Sequence, residues 1–142
     1  MDQEIAGLVP VSREHAALLL EAGFVLADMG RMDQAREVFA GAAALMPKSE
    51  SPHLALGTVE FAQGHHDKAL QEYRKAQRLA PNSEWVHVHA GEALLWMGKV
   101  AEAVKELKTA IKLDPEGDAA KLAQRLLDAK EAGALPPPKK GK

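Results

Sequence analysis

The sequence predicts an all-α protein, a solenoid of three helix-turn-helix repeats followed by a C-terminal capping helix. Three observations predict it. Apolar residues make up 46% of the chain but aromatic residues only 4%, and the abundance of alanine and leucine favours helices over strands. Small residues recur at a spacing of 34 residues. The segment after the third recurrence carries an apolar stripe of helical period.

Six positions repeat three times at this spacing without a slip. A fixed internal repeat decides the architecture, because each unit can bury its apolar face only against its neighbours. The six sets are Gly23, Gly57 and Gly91; Gly30, Gly64 and Gly98; Ala35, Ala69 and Ala103; Ala42, Ala76 and Ala110; Leu45, Leu79 and Leu113; and Pro47, Pro81 and Pro115.

The second repeat shows why each unit should be a pair of antiparallel helices. Its first helix is expected over residues 50–63 and its second over residues 67–80. Gly57 in the middle of the first helix costs about 1 kcal/mol relative to alanine. We therefore expect a neighbouring helix to approach Gly57 too closely for a side chain. Ala69 and Ala76 supply the small surface on the second helix.

The turns of the repeat also have physical reasons. Gly64 is expected to end the first helix in a left-handed conformation that satisfies free carbonyl groups. Asp67 is then placed to cap the second helix. Pro81 cannot continue that helix, so the chain must turn into the next repeat. Ser49 and Ser83 are placed to cap the helices that follow two of the prolines.

These positions resemble the tetratricopeptide repeat (TPR), which has a small residue at its eighth place, alanine at the twentieth and twenty-seventh, and proline at the thirty-second. The resemblance covers residues 16–115 and implies three stacked helix pairs. It departs from the pattern at two places, which implies local repacking within the same fold. The fourth place, usually aromatic, holds Leu19, His53 and His87, and the eleventh holds Leu26, Glu60 and Leu94.

A further helix is expected over residues 116–132, sealing the last repeat as solenoids require. Its apolar stripe consists of Ala119, Leu122, Ala123, Leu126 and Leu127. Gly133 should end it. The prolines and lysines of residues 133–142 then predict an extended, disordered tail.

The domain organisation follows from these assignments. A repeat domain is expected over residues 12–132, with repeats at about 16–49, 50–83 and 84–115. Residues 1–11 precede the repeats; they are short and mixed in composition, and they allow a flexible segment.

The overall composition excludes several classes of function. With a formal net charge of −2 and a pI of about 6.3, the chain lacks a field that would attract nucleic acid or anionic lipid. It has no cysteine, which suits a reducing compartment. The acidic N-terminus does not resemble a signal peptide, and the longest apolar stretch, residues 16–20, cannot span a bilayer. We expect a cytoplasmic protein without membrane insertion.

The first helices of the repeats are expected to line the concave side of the stack. Projection at 100° per residue separates their packing face from an opposite face that is mostly apolar and carries four aromatic rings. Contiguous exposed apolar surface of this kind usually marks an interaction site. The predicted groove consists of Leu20, Phe24, Ala27, Asp28, Leu54, Thr58, Phe61, Trp85, Val88, Glu92, Leu95 and Trp96.

The partner expected in this groove is a protein or peptide segment with apolar anchors. Glu92 or Asp28 would select a basic group or a backbone N–H. An alternative is that the chain's own N-terminal segment, its tail or a second copy fills the groove, so a homodimer is possible.

No cofactor, metal site or catalytic motif is predicted, and we do not expect an enzyme. His87 and His89 are two apart on a helix and point to different faces, so they cannot share a metal. His65 and His66 fall in a turn, where polar residues are expected. The chain contains no phosphate-binding loop, nucleophile elbow or metalloprotease motif.

Co-chaperones that hold the acidic C-termini of heat-shock chaperones use lysine, asparagine and arginine on the inner TPR positions. Here the corresponding places hold Leu20, Phe24, Leu54, Trp85 and His89, and no cation is available for a carboxylate. That class of partner is not expected.

The run from His89 to Leu95, followed by Gly98 and by residues 101–103, resembles the third repeat of class II chaperones of type III secretion. Residues 54–57 are similar to part of their second repeat. The resemblance implies a cytoplasmic chaperone that binds an extended segment of a hydrophobic client before export. Two other interpretations stay open, a scaffold or assembly factor in a larger complex and a regulatory accessory subunit of an enzyme.

Overall fold

A computed structural model describes residues 12–135 of the chain. Its helices are α1 (Arg13–Asp28), α2 (Met32–Leu45), α3 (Ser51–Ala62), α4 (His66–Leu79), α5 (Glu84–Trp96), α6 (Val100–Leu113) and α7 (Asp118–Glu131). Helices α1 to α6 form three antiparallel pairs, and α7 packs on the last pair. The predicted all-α repeat fold is confirmed. The predictions for residues 1–11 and 136–142 lie outside the described residues.

The regular spacing of the mid-helix glycines is explained by rings and branched side chains that lie against them. A Cβ atom at Gly57 would lie 2.2 Å from Cε1 of Tyr73, and one at Gly23 would lie 2.3 Å from Cε1 of Phe39. The expected close approach is therefore confirmed. The group that approaches is a side chain from the second helix of the same repeat, packed against the bare glycine backbone.

The turns agree with the sequence only in part. Gly64 has a φ of +82° and follows α3, as expected. The prediction for Asp67 was wrong: α4 begins at His66, so Asp67 lies inside the first turn, where its charge favours the helix dipole without capping. Ser49 Oγ accepts a hydrogen bond from the backbone N of Ser51 at 3.3 Å. Ser83 occupies the N-cap position of α5, but its side chain makes no cap hydrogen bond.

The stack bends because its two sets of helices pack differently. The first helices of successive repeats contact one another, α1 with α3 and α3 with α5, and α5 also contacts the capping helix α7. In the described part of the chain, the second helices α2, α4 and α6 contact only the first helices and α7. The odd-numbered helices therefore form the inner side of the curve, and the second helices are spread apart on the outside.

Helix α7 closes the C-terminal end of the core. Ala119, Ala123 and Leu126 are buried in one cluster with residues of α5 and α6. Gly133 ends the region with a φ of +78°. Leu135 packs against the same cluster, so the part of the predicted tail that the structure describes is attached to the repeat domain.

The fourth place of the repeat holds histidines that pair with carboxylates. His53 Nδ1 lies 2.8 Å from Glu72 Oε2, and His87 Nδ1 lies 2.6 Å from Glu106 Oε2. Both pairs join the same two places of the repeat, 34 residues apart. In the first repeat these two places hold an apolar pair, Leu19 and Val38. A histidine at the place of the usual aromatic residue is thus matched by a glutamate on the second helix of the same repeat.

The eleventh place shows the same compensation. Glu60 is buried and accepts hydrogen bonds from Arg36 Nε at 2.7 Å and from His65 Nδ1 at 2.8 Å. In the third repeat, Leu94 replaces the carboxylate, and Leu70 stands where Arg36 stands in the first repeat. Both leucines belong to the apolar core around α5 and α6. An ion pair and an apolar pair therefore serve the same contact between repeats.

These networks predict a loss of stability in acid. Burial alone would raise the pKa of Glu60, but Arg36 and His65 outweigh it and hold the pKa below its ordinary value. Glu106 behaves likewise, since Arg74 and His87 outweigh burial and lower its pKa. A carboxylate with a depressed folded pKa stabilises the fold above its unfolded pKa of about 4.3. That stabilisation is lost as the pH falls through the folded value.

We expect the free energy of unfolding in urea to be lower near pH 3.5 than near pH 6, pH values chosen around the ordinary pKa of glutamate, roughly 4. The double variant Glu60→Gln, Glu106→Gln should have a lower free energy of unfolding than the wild type near pH 6. Its free energy of unfolding should fall less between about pH 6 and pH 3.5. Equal pH dependence in the wild type and the variant would assign the acid sensitivity to other groups.

The outer face of α1, the first helix of the described residues, is apolar. Leu18, Val25 and Met29 are 60%, 57% and 59% exposed and follow one another at helical spacing. This stripe is a surface on which the homodimer allowed by the sequence could form, and the homodimer stays a prediction.

Candidate functional site

A groove runs between α1, α3 and α5 on the inner side of the stack. It encloses about 500 Å³. Its walls and floor come from all three repeats, so it exists only because the repeats stack with this curvature. The lining residues are Leu20, Phe24, Glu50, Ser51, Leu54, Ala55, Thr58, Ser83, Trp85 and His89.

Two aromatic side chains stand on opposite sides of the groove and are open to contact. Phe24 on α1 is 47% exposed, and Trp85 on α5 is 39% exposed. Phe24 packs edge-on against the fully buried Phe39, with ring centroids 5.0 Å apart. Its orientation is therefore fixed from below while its outer face is free. A ring held in this way can contact a partner with little loss of side-chain entropy.

The α5 wall of the groove, with Trp85 and His89, is backed by the ring of Tyr73 from α4, and the three rings form a stack. His89 lies 5.5 Å from Tyr73 and 6.1 Å from Trp85 between ring centroids, at interplanar angles of 27° and 29°. Tyr73 in turn packs on Gly57 of α3. The glycine column of the repeat thus positions the groove wall, because it allows Tyr73 to reach the backbone of α3.

The electrostatics of the groove suit an apolar ligand. Glu50 is its charged lining residue, and no lysine or arginine is among the lining residues of the described chain. Burial lowers the pKa of His89, which favours its neutral form. Thr58 Oγ1 donates to the backbone O of Ala55 at 2.8 Å, so its hydroxyl proton is already used. The arrangement offers no charge that would hold a carboxylate.

Five of the predicted site residues meet in this groove: Leu20, Phe24, Leu54, Thr58 and Trp85. Asp28 is exposed and Ala27 is half-buried against the core between α1 and α3. Glu92 is half-buried on α5, where burial raises its pKa. These three do not line the groove.

Phe61 and Trp96 form a separate aromatic cluster. Their ring centroids are 5.6 Å apart, and His66 lies 4.8 Å from Phe61. Both rings are half-buried near the C-terminal ends of α3 and α5. They contact each other across the interface between repeats and do not line the groove. Whether Phe61 and Trp96 share an inner surface with Phe24 and Trp85 stays a prediction.

Val88 and Leu95 also require a correction. Both are fully buried, in one cluster with Ala119, Ala123 and Leu126 of α7. The helix projection assigned them to an open face because it could not include the helix packed on that face. The capping helix covers them, and they serve the core.

Five lining residues were not in the predicted site set: Glu50, Ser51, Ala55, Ser83 and His89. Of these, His89 has the aromatic side chain. It follows Trp85 by four residues and precedes Trp96 by seven, which places it on the same helical stripe. The equivalent places in the other repeats are Ala55 and Glu21, so its side chain makes the groove asymmetric. The sequence already placed His89 at an inner TPR position, and its spacing of four residues from Trp85 is the signal that could have added it to the predicted groove.

Two other kinds of site are absent from residues 12–135. No group of three or more histidine, aspartate or glutamate side chains could hold a metal ion there. No helix in that range has both the length and the hydropathy needed to cross a membrane.

Solved structures resemble the chain over most of its length. The type III secretion translocator chaperone SycD of Yersinia enterocolitica is 26% identical, with 85% of this chain and 91% of that chain covered and a TM-score of 0.75. PcrH from Pseudomonas aeruginosa is 26% identical, with 90% and 98% covered and a TM-score of 0.76. SycD has been solved with a peptide of the translocator YopD, and PcrH with the chaperone binding region of PopB.

Sequence comparisons support the same relationship at the level of the repeat. No curated protein sequence matches the chain. Two models of the tetratricopeptide repeat do match, one over residues 14–82 and the other over residues 60–127. Together they span the three helix pairs and most of α7. The chain belongs to the tetratricopeptide repeat family, and among solved structures it is similar to translocator chaperones of type III secretion.

Proposed function

We propose that this protein is a cytoplasmic chaperone that binds an extended segment of a hydrophobic secreted client in the groove between α1, α3 and α5. The observation that carries the proposal is the groove itself, which is apolar, open, and flanked by the exposed rings of Phe24 and Trp85. A groove of this kind binds a polypeptide by apolar anchors and does no chemistry on it. A protein with this function is not an enzyme.

The comparisons support this proposal because two similar proteins are chaperones solved with segments of other proteins. The charge of the groove supports it independently. A hydrophobic client presents apolar side chains, and burial of such surface contributes roughly 25 cal/mol per Å². The absence of basic lining residues, within the described chain, disfavours an acidic tail as the ligand.

A direct test uses peptides selected on the immobilised protein from a phage-displayed random library, together with the chaperone binding region of PopB as a probe. We expect the selected peptides to be enriched in apolar residues. We also expect Phe24→Ala to weaken their binding by about tenfold, as measured by fluorescence anisotropy, since loss of an aromatic anchor costs about 1 to 2 kcal/mol.

Leu113→Ala provides a matched control, because Leu113 is also a large exposed apolar residue, 39% accessible, but lies at the end of α6 away from the groove. Its affinity for the selected peptides should equal that of the wild type. If Leu113→Ala weakened binding and Phe24→Ala did not, the groove would not be the binding surface.

A further inference from the structure

His89 differs from the three histidines of the described chain that pair with carboxylates. His53, His65 and His87 each place a ring nitrogen within 2.8 Å of a carboxylate. For His89, no hydrogen bond to either ring nitrogen forms within residues 12–135. Its ring faces are instead covered by Tyr73 and Trp85, and its side chain lines the groove. The ring nitrogens are therefore without a hydrogen-bond partner among residues 12–135.

The remaining polar groups of the groove cannot take the same role. Ser51 and Ser83 lie at the starts of α3 and α5, at one end of the groove, together with Glu50. Thr58 lies further along α3, but its hydroxyl proton is used within the helix. A neutral imidazole carries one donor and one acceptor nitrogen, and burial favours the neutral ring here because it lowers the pKa of His89.

An extended segment brings its own requirement into such a groove. Its peptide N–H and C=O groups have no partners within the segment, and burying them without partners is unfavourable. The aromatic stack fixes the plane of the His89 ring, so its edge presents a donor and an acceptor at a constant place in the apolar surface. One of these two ring nitrogens can hydrogen-bond either the N–H or the C=O of one main-chain peptide group, whatever side chains the segment carries.

We propose that His89 is the polar recognition residue of the groove and that its ring hydrogen-bonds a main-chain peptide group of the bound segment. The inference rests on the function proposed above. It assigns to the third repeat alone the task of fixing the register of the segment, because Ala55 and Glu21 stand at the equivalent places in the other repeats.

The test combines His89→Phe with an ester scan of one peptide selected on the wild type. His89→Phe keeps a stacked ring and removes both nitrogens, and each ester replaces one main-chain N–H and weakens one carbonyl acceptor. We expect His89→Phe and the ester at one position each to lower the affinity about tenfold. In the His89→Phe protein, the ester at that position should lower the affinity by less than about twofold. The two changes remove the same hydrogen bond, so their effects should not add.

His89→Gln, which keeps a donor and an acceptor, should recover part of the affinity. The inference would be overturned if His89→Phe bound the peptide with wild-type affinity. It would also be overturned if every ester lowered the affinity equally in the wild type and in His89→Phe. Thermal unfolding followed by circular dichroism shows whether each variant is folded. If Phe24→Ala fails to weaken binding, the proposed function is wrong; if it weakens binding and His89→Phe does not, only the role of His89 is wrong.

Discussion

Replacing Gly57 by leucine should cost the protein about 3 kcal/mol or more of its free energy of unfolding, which is a large part of the 5 to 15 kcal/mol typical of a domain. The Cβ atom alone would lie 2.2 Å from Cε1 of Tyr73. Tyr73 is 1% exposed and the largest fully buried side chain of the described chain. It therefore cannot swing out into solvent without losing its contacts in the core.

Urea denaturation followed by circular dichroism measures this loss, and Gly41→Ala is its matched control. Gly41 also lies inside a helix, α2, but a Cβ atom there would meet nothing within 4 Å. That variant should be more stable by about 0.5 to 1 kcal/mol, because alanine is the better helix former. Equal effects at Gly41 and Gly57 would mean that helix propensity, and not the contact with Tyr73, governs both positions.

A second experiment tests whether the contact with the Tyr73 ring causes the loss of stability at Gly57. The third repeat places Leu107 opposite Gly91, and a Cβ atom at Gly91 would lie at a longer distance, 2.8 Å. Gly57→Ala should therefore cost less in a Tyr73→Leu background than in the wild type. Additive costs in this double-mutant cycle would contradict the direct contact.

Replacing Thr58 by glutamate should lower the affinity for apolar peptides selected on the wild type about 100-fold or more, equivalent to about 2.7 kcal/mol. Thr58 lines the middle segment of the groove on α3. A bound apolar segment would strip water from the new carboxylate without supplying a partner, which is strongly unfavourable. Isothermal titration calorimetry measures the change.

The fold should survive this substitution because the repeat already contains the same residue at this place. Phe24, Thr58 and Glu92 are equivalent, and Glu92 is accommodated half-buried on α5. Thr58→Val keeps the size and removes the hydroxyl, so it should bind peptides at least as well as the wild type. Wild-type affinity in a folded Thr58→Glu protein would exclude the middle of the groove from the binding surface.

The sequence predicted the fold well because the repeat places the same constraint three times. A glycine in mid-helix, such as Gly57, is unfavourable unless something packs on it, so three such glycines in step indicate three close contacts between helices. It predicted the turn at Gly64 for a similar reason, since a left-handed residue after a helix is most easily glycine. Asp67 was assigned wrongly because a cap depends on the first residue of the helix, and the sequence locates that residue only approximately.

The site was predicted less completely. Leu20, Phe24, Leu54, Thr58 and Trp85 were found because each lies opposite the packing signature of its helix. Phe61 and Trp96 satisfied the same rule, but they pack on each other between α3 and α5 and are not among the lining residues of this groove. A projection of single helices contains no information on which neighbours approach.

The amino-acid sequence by itself determined the repeat, the number of helix pairs and the apolar character of the inner face, because these depend on spacing and composition within each unit. Only the tertiary structure decided which apolar residues stay open. Val88 and Leu95 are covered since α7 packs on α5, and His89 faces the groove since Tyr73 and Trp85 hold its ring there. Exposure depends on contacts between helices distant in sequence, and a local pattern does not contain them.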